Sequence, residues 1–236
     1  MVKTKAEYDK FVRELSGYSK NESVNYLERH KAVINTNRKI ICLSMQMMRT
    51  LAKQILAGEP DEFLKVASPV SYEEVMIYGL VIAGMKDINQ QLEWLEKYIG
   101  LIDSWALCDS VISTFKTLSK KVNKDKCFEY FCNLCFSSEE YVARYGLVTL
   151  MSYYLEDEYI DKILEICVKV NNDEYYVQMA IAWLLSFAFV SHREKTLNLL
   201  NKKCLSKFIQ NKTIQKCRES FRVSQEDKEL LVSLKI

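Results

Sequence analysis

The sequence predicts an all-α protein assembled from repeated helix pairs, and three observations predict it. Only 6 glycines and 2 prolines occur in 236 residues, too few for many strands and tight hairpins. Apolar residues recur at helical spacing along almost the whole chain. The chain also resembles itself. SYEEVMIYGLVIAGM (71–85) is similar to SSEEYVARYGLVTLM (137–151), with the shared YGLV displaced by 67 residues. EEYVARYGLVTLM (139–151) is similar to EYYVQMAIAWLLSF (174–187) at a shift of 35. Two-helix units of that length stack so that each buries its apolar face against its neighbours. The expectation is a HEAT-like helical-repeat solenoid, an α-α superhelix with a concave basic cleft, formed as a single domain over residues 1–236.

Taken in order, the charged and amphipathic N-terminus, MVKTKAEYDKFVREL, leads into helices predicted at 5–17 and 21–31. Residues 32–42 lack periodicity and read as a loop. Helices follow at 44–57 and 59–67, then at 71–86 with the first YGLV. The helix at 88–99 contains Trp94 in LEWLEKYI, expected in the core. The next, 103–119, begins at Asp103, a candidate N-cap, and 124–135 carries the pair Cys132 and Cys135 in CNLC. Ser137 and Asp173 are the candidate caps of helices at 138–155 and 173–190, with another at 158–170 between them. The chain closes with helices at 193–201, 207–221 and 225–234. The connections are short and polar, as between antiparallel neighbours.

Composition narrows the function. A net charge of +2 implies no partner by itself, but Arg193 to Arg222 holds nine Lys or Arg against two Glu. A basic end on a near-neutral chain suits a polyanion or a solvated surface. No stretch reaches the roughly 18 apolar residues of a membrane span, and the N-terminus lacks the apolar core of a signal peptide. A cytoplasmic protein with reduced thiols is therefore expected. The CNLC pair has no histidine nearby to complete a zinc site, so the eight cysteines read as buried thiols, with no metal. His30 and His192 read as surface residues.

The stretch IDSWALCDSVISTF (102–115) places Trp105 and Asp109 one helical turn apart on one face. A core helix would avoid the charge and a solvated one the indole. The repeat register adds to this. Asp109 plus 35 is Arg144, and Arg144 plus 39 is Trp183. Trp105, Asp109, Arg144 and Trp183 are therefore expected on one face of three successive inner helices. Taken singly, each indole reads as packing and Arg144 with Asp109 as a salt bridge.

In SWALCDS, ARYGLVTLMSYY and YYVQMAIAWLLSFAF the sequence resembles the AlkD-like DNA alkylation repair family of HEAT-like alkylpurine DNA glycosylases. The resemblance runs from about residue 70 to 225 and includes IQKCRESFRVSQEDK. The family's W-x-x-x-D falls on Trp105 and Asp109, its arginine on Arg144 and its later tryptophan on Trp183. An arginine three residues beyond that tryptophan is replaced here by Ser186, and the N-terminal 60 residues match poorly apart from MRTLAKQI (48–55).

The resemblance implies excision of cationic N3- and N7-alkylpurines from duplex DNA, without base flipping and without a cofactor, by a monomer that is nucleoid-associated when bound. Asp109 would stabilise the charge that develops on the deoxyribose. Trp105 and Trp183 would flank the sugar, and Arg144 would hold a phosphate. Lys212, Lys216 and Arg218 on one helix, with Arg222, Lys202, Lys203 and Lys207 near it, would grip the DNA backbone. Two alternatives remain: a DNA-binding relative that excises nothing, and a protein-interaction scaffold.

Overall fold

The computed structural model describes residues 2–19 and 24–236, and within them the chain is helical with no strand. The helices are α1 (Lys5–Leu15), α2 (Val24–Ile34), α3 (Met45–Leu56), α4 (Pro60–Val66), α5 (Tyr72–Gly84), α6 (Ile88–Ile99) and α7 (Trp105–Ile112). Then come α8 (Lys121–Leu134), α9 (Glu140–Tyr153), α10 (Ile160–Lys169), α11 (Tyr175–Ser191), α12 (Arg193–Asn201), α13 (Lys207–Glu219) and α14 (Gln225–Val232). The all-α helical-repeat class is therefore what the chain adopts. Residues 21–23 of the helix expected at 21–31 lie outside the described residues.

The chain forms two compact units, Met1–Asn123 and Lys124–Ile236. In the first, α3, α5 and α7 pack in succession, with α4 on α3 and α6 on α5. In the second, α9, α11 and α13 pack in succession, with α10 and α12 on α11 and α14 on α13. The middle helix of each succession is buried on nearly every face. From Tyr72 to Ala83 every residue of α5 is buried, and α11 buries nine of its residues, Val177 to Phe189.

The repeated YGLV has a packing explanation. Gly79 on α5 lies against the ring of Tyr98 on α6, where a Cβ would collide. Its counterpart Gly146 on α9 lies against the end of α8, where a Cβ would sit 2.8 Å from both the Phe131 carbonyl oxygen and the Cys135 nitrogen. Backbone yields less readily than a side chain. Gly146→Ala is expected to destabilise by about 2 kcal/mol despite the better helix propensity of alanine, measured as a lower urea midpoint.

The repeat is also legible in the polar links. In the second unit Lys124 pairs with Glu156, Asp125 accepts from Tyr159, and Glu129 pairs with Lys162. Ser137 accepts from Asn172, Asp161 pairs with Lys195, and Arg193 with Asp227. These partners lie 32 to 35 residues apart in sequence. Each link joins one repeat to the next.

The Arg193–Asp227 rung is the best formed, with Nε at 2.9 Å and Nη2 at 2.5 Å from Oδ1. The guanidinium hydrogen bonds hold the Asp227 carboxyl below its ordinary value, against the opposing effect of burial. A carboxyl with a depressed folded-state pKa contributes stability above its unfolded pKa and loses it as pH falls through the folded one. Wild type is therefore expected to exceed Asp227→Asn in urea midpoint at neutral pH, and the gap is expected to close below pH ~4.

Several expectations are corrected. The helix expected over 103–119 stops at Ile112. Ser113 and Thr114 turn their hydroxyls back onto the carbonyls of Ser110 (2.8 Å) and Val111 (2.7 Å), competing with the helix ladder. A 3-10 turn, Lys116–Ser119, follows. Ser104, not Asp103, caps α7, because the Asp103 carboxylate is taken by Thr36, Asn37 and Arg38. Glu139 and Glu174 hold the N-cap positions of α9 and α11, displacing Ser137 and Asp173. Trp94 is half-buried rather than core, its indole N–H donating to Asp61 at 3.0 Å. The His192 side chain is only 10% exposed, lying 3.2 Å from Asp157. Seven of the eight cysteines are buried thiols and Cys204 is exposed.

The loop expected at 32–42 begins later, since α2 runs to Ile34. Asn35 takes φ 55 and Thr36 N–H reaches back to the Lys31 carbonyl, which is a Schellman stop. The rest is an ordered strap. The N–H groups of Ile41, Cys42 and Leu43 all donate to the carboxylate of Glu73, which is 1% exposed. They cradle it because Cys42 adopts φ 72.

Candidate functional site

The strap and α2 fix the start of α7. The Ser104 hydroxyl accepts from the Ala106 N–H and donates to the Ile34 carbonyl at 2.7 Å. The next residue, Trp105, donates its indole N–H to the Val33 carbonyl at 3.0 Å. With that anchor the indole cannot swing freely. Asp109 follows one turn later, and both side chains are half-buried. The first unit thus brings together the aromatic–carboxylate pair that the sequence singled out.

The second unit holds Arg144 and Trp183 on the adjacent helices α9 and α11. Arg144 is only 6% exposed. Its Nη1 donates to the Tyr176 carbonyl at 2.9 Å, and the guanidinium lies 5.7 Å from the centroid of the Tyr176 ring. Glu140, one turn before Arg144, accepts from the Tyr176 N–H at 2.8 Å. Burial pushes the Tyr176 phenol above its usual range, with Tyr175 and Glu140 adding to the shift and Arg144 opposing it. The first turn of α11 is thus pinned by two residues of α9.

Trp183 is half-buried and meets Phe187 edge-on at 5.9 Å. Phe187 in turn lies under the guanidinium of Arg222, at 6.0 Å. Beside Arg222, on the turn between α13 and α14, Phe221 is fully exposed. Sequence reasoning missed Phe187 and Phe221. The available signal was an aromatic four residues after Trp183 and another next to Arg222. Ser186 is buried, and its hydroxyl donates to the Trp183 carbonyl at 2.7 Å.

The three cations expected on α13 divide. Lys212 and Arg218 line a shallow groove of about 630 Å³ together with Lys207 and Lys235, and no carboxylate lines it. Lys212 donates to Gln215 at 2.9 Å and lies 5.8 Å from the Phe208 ring centroid. Lys216 is not part of that groove and pairs with Glu219 at 3.1 Å. Among the described residues no group of three or more His, Cys, Asp or Glu is placed to hold a metal ion. Burial raises the Cys132 thiol to about 11 and the Cys135 thiol well above its ordinary value, so the CNLC pair is held in the thiol form.

A helical-repeat scaffold with an aromatic–carboxylate pair on one helix and a carboxylate-free cationic groove on another is equipped to handle a polyanion. The model of the DNA alkylation repair enzyme family matches residues 11–217, so the chain belongs to that family, and DNA is the partner the family implies. It is therefore an enzyme of DNA alkylation repair. No curated protein and no solved structure gives a match. No described helix is long and apolar enough to cross a membrane.

Proposed function

We propose that the chain is a monofunctional DNA glycosylase, acting as a monomer and a single repeat domain on cationic N3- and N7-alkylpurines in duplex DNA. The observation that carries the reading is the Trp105–Asp109 pair on α7, with its indole anchored to Val33. An alkylated purine is already positively charged and needs no proton from the enzyme. As the C1′–N bond breaks, its electron pair goes to the base, which leaves neutral. The sugar takes the positive charge. A carboxylate near C1′ stabilises that charge and orients a water, whose oxygen forms the new bond to C1′ and whose proton leaves to solvent or to Asp109. The face of Trp105 attracts the same cation and excludes water around it, and the Trp183 face on α11 suits a cation in the same way.

The remaining parts serve as grip. The buried Arg144 guanidinium is oriented by Tyr176 and is the cation assigned to a phosphate near the lesion. Lys212 and Arg218 line the α13 groove and suit further phosphates, with Lys216 beside them. Phe221 and Arg222 project next to the Trp183–Phe187 pair and suit contact with an adjacent sugar or base edge. The proposal includes excision without flipping of the base, as the resemblance implies.

The test is release of 7-methylguanine and 3-methyladenine from methylated duplex DNA, resolved by chromatography. Release above the spontaneous rate is expected. One observation favours a second reading, a DNA-binding relative without turnover: Ser186 is spent on its own helix and offers nothing to DNA. Salt-sensitive duplex binding with no release would select that reading.

A further inference from the structure

The first unit carries a groove that none of the chemistry above uses. It has a volume of about 530 Å³ and is bounded by the C-terminal ends of α3 and α5 and by the turn that follows α7. Its floor is apolar, formed by Ala52, Leu56, Leu80 and Met85. Around it stand Arg49 and Lys53 on α3, Lys86 just after α5, and Lys116 and Lys120 at the 3-10 turn. All five cations are exposed, and no Asp or Glu lines the groove. Among the described residues none of the five makes an ion pair or a side-chain hydrogen bond.

Elsewhere on this unit some lysines do have a carboxylate beside them. Lys3 pairs with Glu59, Lys5 with Asp9, Lys10 with Glu14, and Lys65 with Glu62. The groove is also preformed. The Gln91 amide donates to the carbonyls of Ile82, Ala83 and Met85, and the Thr117 hydroxyl donates to Gln91 Oε1 at 2.5 Å. Favourable interaction of cations with helix C-termini accounts for Lys53 in the last turn of α3. It does not account for the apolar floor beneath the five cations.

We propose that this groove docks an acidic amphipathic segment of a partner protein, with aliphatic side chains on the floor and Asp or Glu on the five cations. The occupant follows from complementarity: apolar against apolar in the centre, carboxylates against unpaired cations at the edge. A duplex suits the groove less well. Its phosphates would meet the rim but leave the floor wet, and nothing in a DNA backbone covers leucine and methionine. The groove also lies beyond the C-terminus of α7, whereas Trp105 stands at the N-terminus of that helix. The proposal does not rest on the glycosylase reading.

The experiment is fluorescence anisotropy with the full chain and a labelled peptide of roughly sixteen residues, with Leu at helical spacing and Glu on the flanks. A scrambled peptide of the same composition, an unmodified DNA duplex and phosphatidylglycerol vesicles are measured alongside. Binding of the amphipathic probe is expected, weakened about tenfold by scrambling and about tenfold by Lys53→Glu/Lys116→Glu. Both lysines are exposed, so that variant is expected to keep the wild-type melting curve, and Leu56→Asn tests the floor separately. Equal binding of the scrambled peptide would overturn the proposal, since charge alone would then explain it. So would a loss of duplex or vesicle binding in Lys53→Glu/Lys116→Glu without any loss of probe binding.

Discussion

Asp109→Asn is expected to lower the rate of 7-methylguanine release from duplex DNA by about a hundredfold or more, while duplex affinity changes little. Asparagine has the same shape, so α7, its Ser104 cap and the Trp105–Val33 hydrogen bond are kept. What is lost is a negative charge beside a sugar that becomes positive only in the transition state. Removing one such interaction costs about 3 kcal/mol, which corresponds to roughly two powers of ten. A ground-state alkylpurine nucleotide loses less, because its charge sits on the base. Single-turnover release with enzyme in excess separates the two effects. Unchanged release would remove Asp109 from the chemistry, and weakened binding with unchanged turnover would make it a substrate contact only.

Glu73→Ala is expected to be the most destabilising change in the first unit, by about 3 kcal/mol or more. The carboxylate accepts from Ile41 and Cys42 at 2.9 and 2.7 Å and from Leu43 at 3.3 Å. Truncation leaves these N–H groups in a water-poor site without an acceptor, each at a cost of about 1–3 kcal/mol. It also frees Cys42 from a left-handed conformation that a non-glycine residue does not adopt by preference. Glu73→Gln restores an acceptor oxygen but turns an NH₂ toward other donors, so an intermediate loss is expected. Urea unfolding followed by circular dichroism measures both. A change within about 0.5 kcal/mol for the alanine variant would mean that the strap is held from its Asp103 end instead.

These two residues differ in how far the sequence revealed them. Asp109 was visible because a carboxylate one turn from a tryptophan is unusual on any helix face, and the repeat register gave it companions. Glu73 was invisible. Two acids in the first turn of a helix read as ordinary dipole complements, yet Glu73 is buried under the strap, and Glu74 is buried in a capping box with Ser71 while accepting from the Tyr8 hydroxyl. The acceptor role depends on a loop 30 residues away, and no local pattern carries that.

The same distinction runs through the rest of the chain. The helices were legible because a 3.6-residue period is local. The end of α7 was not, because it depends on hydroxyls that either point outward or bend back. His192 looked like an isolated surface residue, and the Asp157 that faces it is one repeat away. The cations of the C-terminal segment were legible because they cluster in sequence. Those around the groove of the first unit, from Arg49 to Lys120, are scattered over many residues and meet only in space.

The rungs between neighbouring repeats bear on how the chain acquires its structure. Within the second unit they close loops of 32 to 35 residues, so few of these polar links wait for distant sequence. Topologies dominated by such short-range closures fold quickly, because little chain entropy is lost before each contact forms. During synthesis a newly made repeat needs only ~35 further residues before its partner is available. Helix pairs can then be added in order from the ribosome, with apolar faces covered soon after they emerge and little time for them to find the wrong neighbour.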